Sequence, residues 1–159
     1  MCADAETRLN ESDSDSLRLW LRLNSCNNQV QNYIREKMRQ EFNLTLPRFD
    51  LMAQLIGHKN GLKMGEISER LMVSNGNTTS IVLQLEKDGL VERLINQEDR
   101  RSTLIRLTTK GTKLYNKINK SYAQWLEDIF ATVSTAQYKR LHKDLSDLKL
   151  NISKRVNKS

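Results

Sequence analysis

The stretch from Leu62 to Arg106 limits the fold more than any other part of the chain, because it reads as two short helices joined by a tight turn and followed by a β-hairpin. In the first piece Met64, Ile67 and Leu71 stand at i, i+3 and i+7, one apolar stripe that needs a partner helix to bury it. After a turn at Met72-Val73, Ser74 is placed as an N-cap whose hydroxyl can accept an orphan N–H, so a second helix should begin at Asn75. Within that helix Thr78, Ile81, Val82 and Leu85 face inward, which leaves Asn75, Gly76, Asn77, Thr79, Ser80 and Gln84 outside. Gly89 then stops it as a C′ residue that tolerates a left-handed backbone.

Leu90 to Ile95 and Thr103 to Leu107 read as strands, with the polar loop Asn96-Gln97-Glu98-Asp99-Arg100-Arg101 between them. The order of elements is that of a winged helix-turn-helix. The outer face of the second helix, with Ser74 at its cap, carries hydrogen-bonding groups and no net charge, which suits the base edges of the DNA major groove. Asn77 and Thr79 are the leading base readers, since Asn pairs bidentately with adenine and Thr offers a hydroxyl or a methyl to thymine. Arg100 and Arg101 at the hairpin tip can reach phosphates or a narrow minor groove, while Asp99 pins a guanidinium or the loop backbone.

These residues resemble the MarR-type bacterial transcription regulators. The resemblance is carried by Leu85-Glu86-Lys87-Asp88-Gly89-Leu90-Val91-Glu92-Arg93, by Asp99-Arg100-Arg101 and by Leu107-Thr108-Thr109-Lys110-Gly111, and it extends from about Ser16 to the C-terminus. Two positions depart from the family pattern: Leu83 stands where a polar residue is common, and Thr78 where Val is more usual.

Charge agrees with a polyanionic partner. The chain has 26 Lys+Arg against 19 Asp+Glu, a net +7, and its first fifteen residues hold five acids against Arg8; removing that −4 leaves +11 on the remainder. Such a body attracts nucleic acid through counterion release. No apolar run approaches the ~20 residues of a membrane span and no signal segment is visible, so a cytoplasmic protein with no membrane partner is expected. Cys2, Cys26, His58 and His142 make no metal-ligand spacing, and no phosphate loop, nucleophile elbow or paired-carboxylate motif is present. A non-enzyme without metal or cofactor is the reading.

Long amphipathic helices flank the winged segment. Leu19, Leu23, Cys26, Val30 and Tyr33 repeat at 4-3-4-3 from Ser16 to about Phe42, and Pro47 suits the first turn of a helix bearing Phe49, Met52, Leu55 and Ile56, ended by a turn at Asn60-Gly61. After Thr108 come Leu114, Ile118, Tyr122, Trp125, Leu126, Ile129 and Phe130 on one helical face, then the capping box Ser134-Thr135-Ala136-Gln137 and a last stripe of Leu141, Leu145, Leu148, Ile152 and Val156. One small winged domain cannot bury so many apolar groups, but a second copy can. The expected architecture is mainly α with a small β-hairpin wing: an acidic arm (1–15), a dimerisation helix (16–44), a DNA-binding domain (45–107) and C-terminal dimerisation helices (108–159). A homodimer would read a pseudo-palindrome in double-stranded DNA.

The resemblance further implies an effector pocket where the first, second and fifth helices meet the DNA-binding lobe. Arg22, Cys26, Gln29 and Tyr33 on the first helix, Arg48 and Met52 on the second and Tyr122 on the fifth are the candidate lining, with an arginine to hold a carboxylate and apolar groups to bury a ring. The run Thr45 to Leu55, with Gly76-Asn77, is similar to the subgroup that controls aromatic-acid catabolism, which implies a repressor released by a hydroxycinnamate-like acid or its CoA thioester. Two alternatives stay open: oxidant sensing through Cys26, and a winged-helix module that binds protein or RNA.

Overall fold

The computed structural model describes residues 7, 9–10, 12–95 and 102–156. Its elements run α1 (Asp15–Phe42), α2 (Leu46–Leu55), β1 (Leu62–Lys63), α3 (Met64–Leu71), α4 (Asn75–Lys87), β2 (Val91–Ile95), β3 (Thr103–Leu107), α5 (Thr109–Ile129) and α6 (Thr135–Val156). This is a mainly helical chain with a small antiparallel sheet, the winged helix-turn-helix expected from its pattern. It divides into two compact units, Met1–Tyr122 and Ala123–Ser159.

In the first unit the helix ends follow from local chemistry. The Ser14 hydroxyl accepts the Leu17 N–H at the start of α1, and Asn43, at φ 48°, closes it in the left-handed region. Helix α2 stops at Leu55, short of the turn expected at Asn60-Gly61, because the Leu55 carbonyl accepts the His58 N–H and the His58 carbonyl accepts that of Gly61. Gly61 has φ +88°, and a Cβ there would lie 2.8 Å from the Ile105 carbonyl oxygen, so this turn accepts only glycine.

The sheet has the order β1-β3-β2. The hairpin pairs Val91 with Leu107 through to Ile95 with Thr103, and β1 adds Leu62 opposite Ile105. Strand β1 is missing from the sequence reading: two residues are too few for an alternating pattern to register. Ile105, Leu51, Met52, Leu55, Ile67, Val82 and Leu85 are all fully buried, and β3 packs on α2 and α3 while β2 packs on α4, so the sheet and helices α2 to α4 share one core.

The second unit holds the end of α5 and the whole of α6. The Ser134 hydroxyl accepts the Gln137 N–H while the Gln137 side chain accepts the Ser134 N–H at 3.0 Å, the reciprocal cap read from the sequence. Phe130 and Tyr138 meet edge to face at 6.3 Å between ring centres. No residue of α6 is buried, and Leu141, Leu145, Ile152 and Val156 are all exposed. Among the described residues no helix is long and apolar enough to cross a membrane.

Candidate nucleic-acid interface

Helix α4 starts at Asn75 because Ser74, in extended backbone, accepts the Asn77 N–H. Thr78, Val82 and Leu85 are buried and Ile81 is half-buried, the inward set expected. Asn75, Gly76, Asn77, Thr79, Ser80 and Gln84 are exposed, so the polar groups singled out from sequence share the solvent side of the helix. The Thr79 hydroxyl turns back to the Asn75 carbonyl at 2.9 Å, which leaves its methyl as the outer group. Leu83 is also on this side, 53% exposed.

The turn between α3 and α4 holds this face in place. Met72 takes the left-handed conformation at φ 54° and is 94% exposed. Its N–H and that of Val73 reach back to Glu69 and Ser68 carbonyls. Beneath the turn, the buried hydroxyls of Ser68 and Thr78 stand 2.9 Å apart, and Thr78 donates to the Ser74 carbonyl. The Glu66 carboxylate accepts the Lys63 N–H at the other end of α3.

The C-terminal end of α4 is tied to both β2 and α5. Asp88 caps it and Gly89 takes φ +69°. Arg93 on β2 donates to Glu86 at 3.0 Å, so the two charged residues of the Leu-Glu-x-x-Gly-Leu-Val-x-Arg run are ion-pair partners. The Thr108 hydroxyl donates to the Gly89 carbonyl at 2.8 Å and accepts the Gly111 N–H, while Lys110 donates to the Asp88 carbonyl at 2.7 Å. A Cβ on Gly111 would lie 2.0 Å from the Leu90 carbonyl oxygen. The Leu-Thr-x-x-Gly run thus brings the start of α5 against the end of α4.

Asp99, Arg100 and Arg101 lie outside the described residues. Within the described part of the hairpin, Arg106 and Glu92 pair across the two strands at 2.7 Å, a surface pair of small energetic weight.

The residues expected around an effector are dispersed. Arg22, Cys26, Gln29 and Tyr33 are exposed along α1, with the Lys37 ammonium 5.9 Å from the Tyr33 ring centre. The helical seam of Leu19, Leu23, Cys26, Val30 and Tyr33 is exposed or half-buried and is not the face α1 buries. Leu21, Ser25, Ile34 and Met38 are buried instead. Met52, expected beside a ligand, is fully buried in the core. Arg48, expected to hold a ligand carboxylate, is paired with Asp88, and its buried Nε has no acceptor among the described residues. Tyr122 stacks on Phe49 at 5.3 Å, and Phe49 stacks on Tyr115 at the same distance. The cleft of about 300 Å³ in this unit is lined by His58, Lys59, Glu92 and Arg106 over Leu55 and Leu107, and by none of these candidates.

Asp50 escaped the sequence reading. Partial burial holds its carboxyl above the ordinary carboxylate value, with Arg35 opposing, and Tyr122 is pushed up by its own burial and by Asp50. The contact set spans α1, α2 and α5, which sequence spacing cannot bring together.

Residues 44–103 match the MarR family. Over 114 residues the chain is 27% identical to the HTH-type transcriptional regulator BilQ of Clostridioides difficile, covering 72% of this chain and 76% of that one. Over 139 residues it is 29% identical to the transcriptional activatory protein BadR of Rhodopseudomonas palustris, covering 83% and 79%. Its fold is that of the S. aureus MepR–DNA complex, with a TM-score of 0.72 at 18% identity over 88% of this chain and 99% of that one.

Proposed function

We propose that this chain is a winged-helix, DNA-binding transcription regulator of the MarR type and that it acts as a homodimer on a pseudo-palindromic operator. The observation that carries the reading is the outward side of α4, where Asn75, Gly76, Asn77, Thr79, Ser80 and Gln84 are exposed opposite a fully buried stripe. In this reading Ser74 orders the first turn, Asn77 and Thr79 meet base edges, Arg100 and Arg101 meet backbone or minor groove, and Asp99 supports the tip. A protein-binding surface would be expected to display aromatic residues and Met there rather than Asn, Thr and Ser.

Pairing is supported by what one chain leaves uncovered. Leu17, Leu19, Trp20 and Tyr33 on α1 and the apolar stripe of α6 are exposed, apolar groups that a second copy could cover. Residues 16–44 and 108–159 would then be the dimerisation helices flanking a DNA-binding domain at 45–107. Mobility shifts against the chain's own upstream region, repeated across salt, test DNA reading; sedimentation at the 18.5 kDa monomer mass at all concentrations would rule out pairing.

The same reading makes the regulator a repressor released by a small aromatic carboxylate. Arg48 supports it: a ligand carboxylate could replace Asp88 as its partner and also satisfy the buried Nε. Because Asp88 caps α4, ligand and DNA would then compete for one arrangement of the recognition helix. Thermal-shift screening of aromatic acids, followed by DNA release, is the test. In the Asp88→Asn variant a true Arg48 ligand should bind more tightly, since its internal competitor is gone.

A further inference from the structure

The polar side of α4 contains one residue that its polarity does not explain. Leu83 is 53% exposed, and on a helix it follows Gly76, Thr79 and Ser80 by seven, four and three places, so it shares their side. Its neighbours on that side toward the N-terminus are small. Gly76 is exposed, its φ is not in the left-handed region, and a Cβ there would meet nothing within 4 Å. Neither packing nor backbone geometry calls for glycine at this position. Such a glycine makes sense if another molecule approaches the backbone closely.

Together Gly76, Ser80 and Leu83 form a ramp from no side chain to a large apolar one. Laid in a major groove, the low end would let the helix sit deep, and the high end would press a branched hydrocarbon against the base edges. The base edge that rewards such a group is thymine, whose C5 methyl projects into the major groove. We propose that Leu83 is a specificity-determining residue that reads a thymine methyl, an inference that rests on the DNA reading above. From Asn77 to Leu83 the helix rises about 9 Å, and base pairs stack about 3.4 Å apart, so this thymine lies about two to three base pairs from the base that Asn77 meets.

The test uses the full chain and duplexes it enriches from a random pool. Each thymine is replaced in turn by deoxyuridine, which removes only the methyl, and affinity is read by fluorescence anisotropy for the wild type and for Leu83→Ala. The wild type should lose about fourfold at one thymine in each half-site, the size of one buried methyl. Leu83→Ala should bind thymine and deoxyuridine equally there and keep any methyl response elsewhere. The position should lie at the stated spacing from the one at which Asn77→Ala relaxes base preference. Identical thymine-to-deoxyuridine ratios for both proteins at every position, with sequence-specific binding intact, would overturn the role of Leu83 and leave the DNA reading standing. If no duplex is enriched over non-specific binding, the DNA reading fails and the inference with it.

Discussion

The Ser68 hydroxyl lies 2.9 Å from that of Thr78, both groups are buried, and they join the two helices of the helix-turn-helix across its tight turn. This gives the Thr78 hydroxyl a role that the side chain of Val could not fill. A methyl in place of the Thr78 hydroxyl would fill the space but leave Ser68 with only the Met64 carbonyl at 3.0 Å. Ser68→Ala and Thr78→Val should each cost about 1 kcal/mol in urea unfolding, and the double variant clearly less than their sum, by about 0.5–1 kcal/mol of coupling. Additive losses would mean that the two hydroxyls do not depend on each other.

Met72→Gly should stabilise the protein. The native residue holds a left-handed backbone and its side chain is 94% exposed, so glycine relieves strain and forfeits almost no packing. Relief of about 1–2 kcal/mol, less the greater freedom of glycine in the unfolded chain, leaves a gain of about 0.5–1 kcal/mol in unfolding free energy, read from the shift in the urea midpoint. Gly61→Ala is the opposite case, combining a positive φ with a 2.8 Å approach to backbone, and should lose about 2 kcal/mol or more.

Asp50→Asn should raise the melting temperature at neutral pH. Burial raises the carboxyl of Asp50 in the folded state, so folding favours its protonated form. The stability that this group contributes is therefore complete below the ordinary carboxylate pKa and lost as pH rises through the higher folded value. The advantage of Asn over Asp should shrink as pH falls and vanish in acid. An advantage independent of pH would show that shape rather than charge is responsible.

Two substitutions separate affinity from specificity on DNA. Asn77→Ala should relax base preference at one position of each half-site by about 1–3 kcal/mol, while Arg101→Ala should weaken binding to every sequence and lower the salt slope by about 1. Competition binding against single-base operator variants, at several salt concentrations, reads both. Equal losses with unchanged base preference would remove the division of labour between helix and wing.

The parts of this structure legible in sequence are those whose cause is local. Ser74 starts α4 through its own hydroxyl, Gly89 ends it through its own backbone, and Ser134 with Gln137 caps α6 within one turn. What escaped depends on distant partners. Strand β1 exists only because Leu62 meets Ile105, and Arg48 finds Asp88 forty residues away. Met52 therefore looked like a pocket residue when packing had already claimed it for the core, and the internal partner of Arg48 left no local trace in the sequence. The heptad-like seam of α1 shows the same limit from the other side: a repeat announces that a face seeks a partner without naming which face the chain itself will cover.

The threonine, lysine and glycine after β3 make the end of α4 and the base of α5 one solid piece. A rotation at either helix end is therefore carried to the other through hydrogen bonds and close backbone contact rather than absorbed by a loose connection.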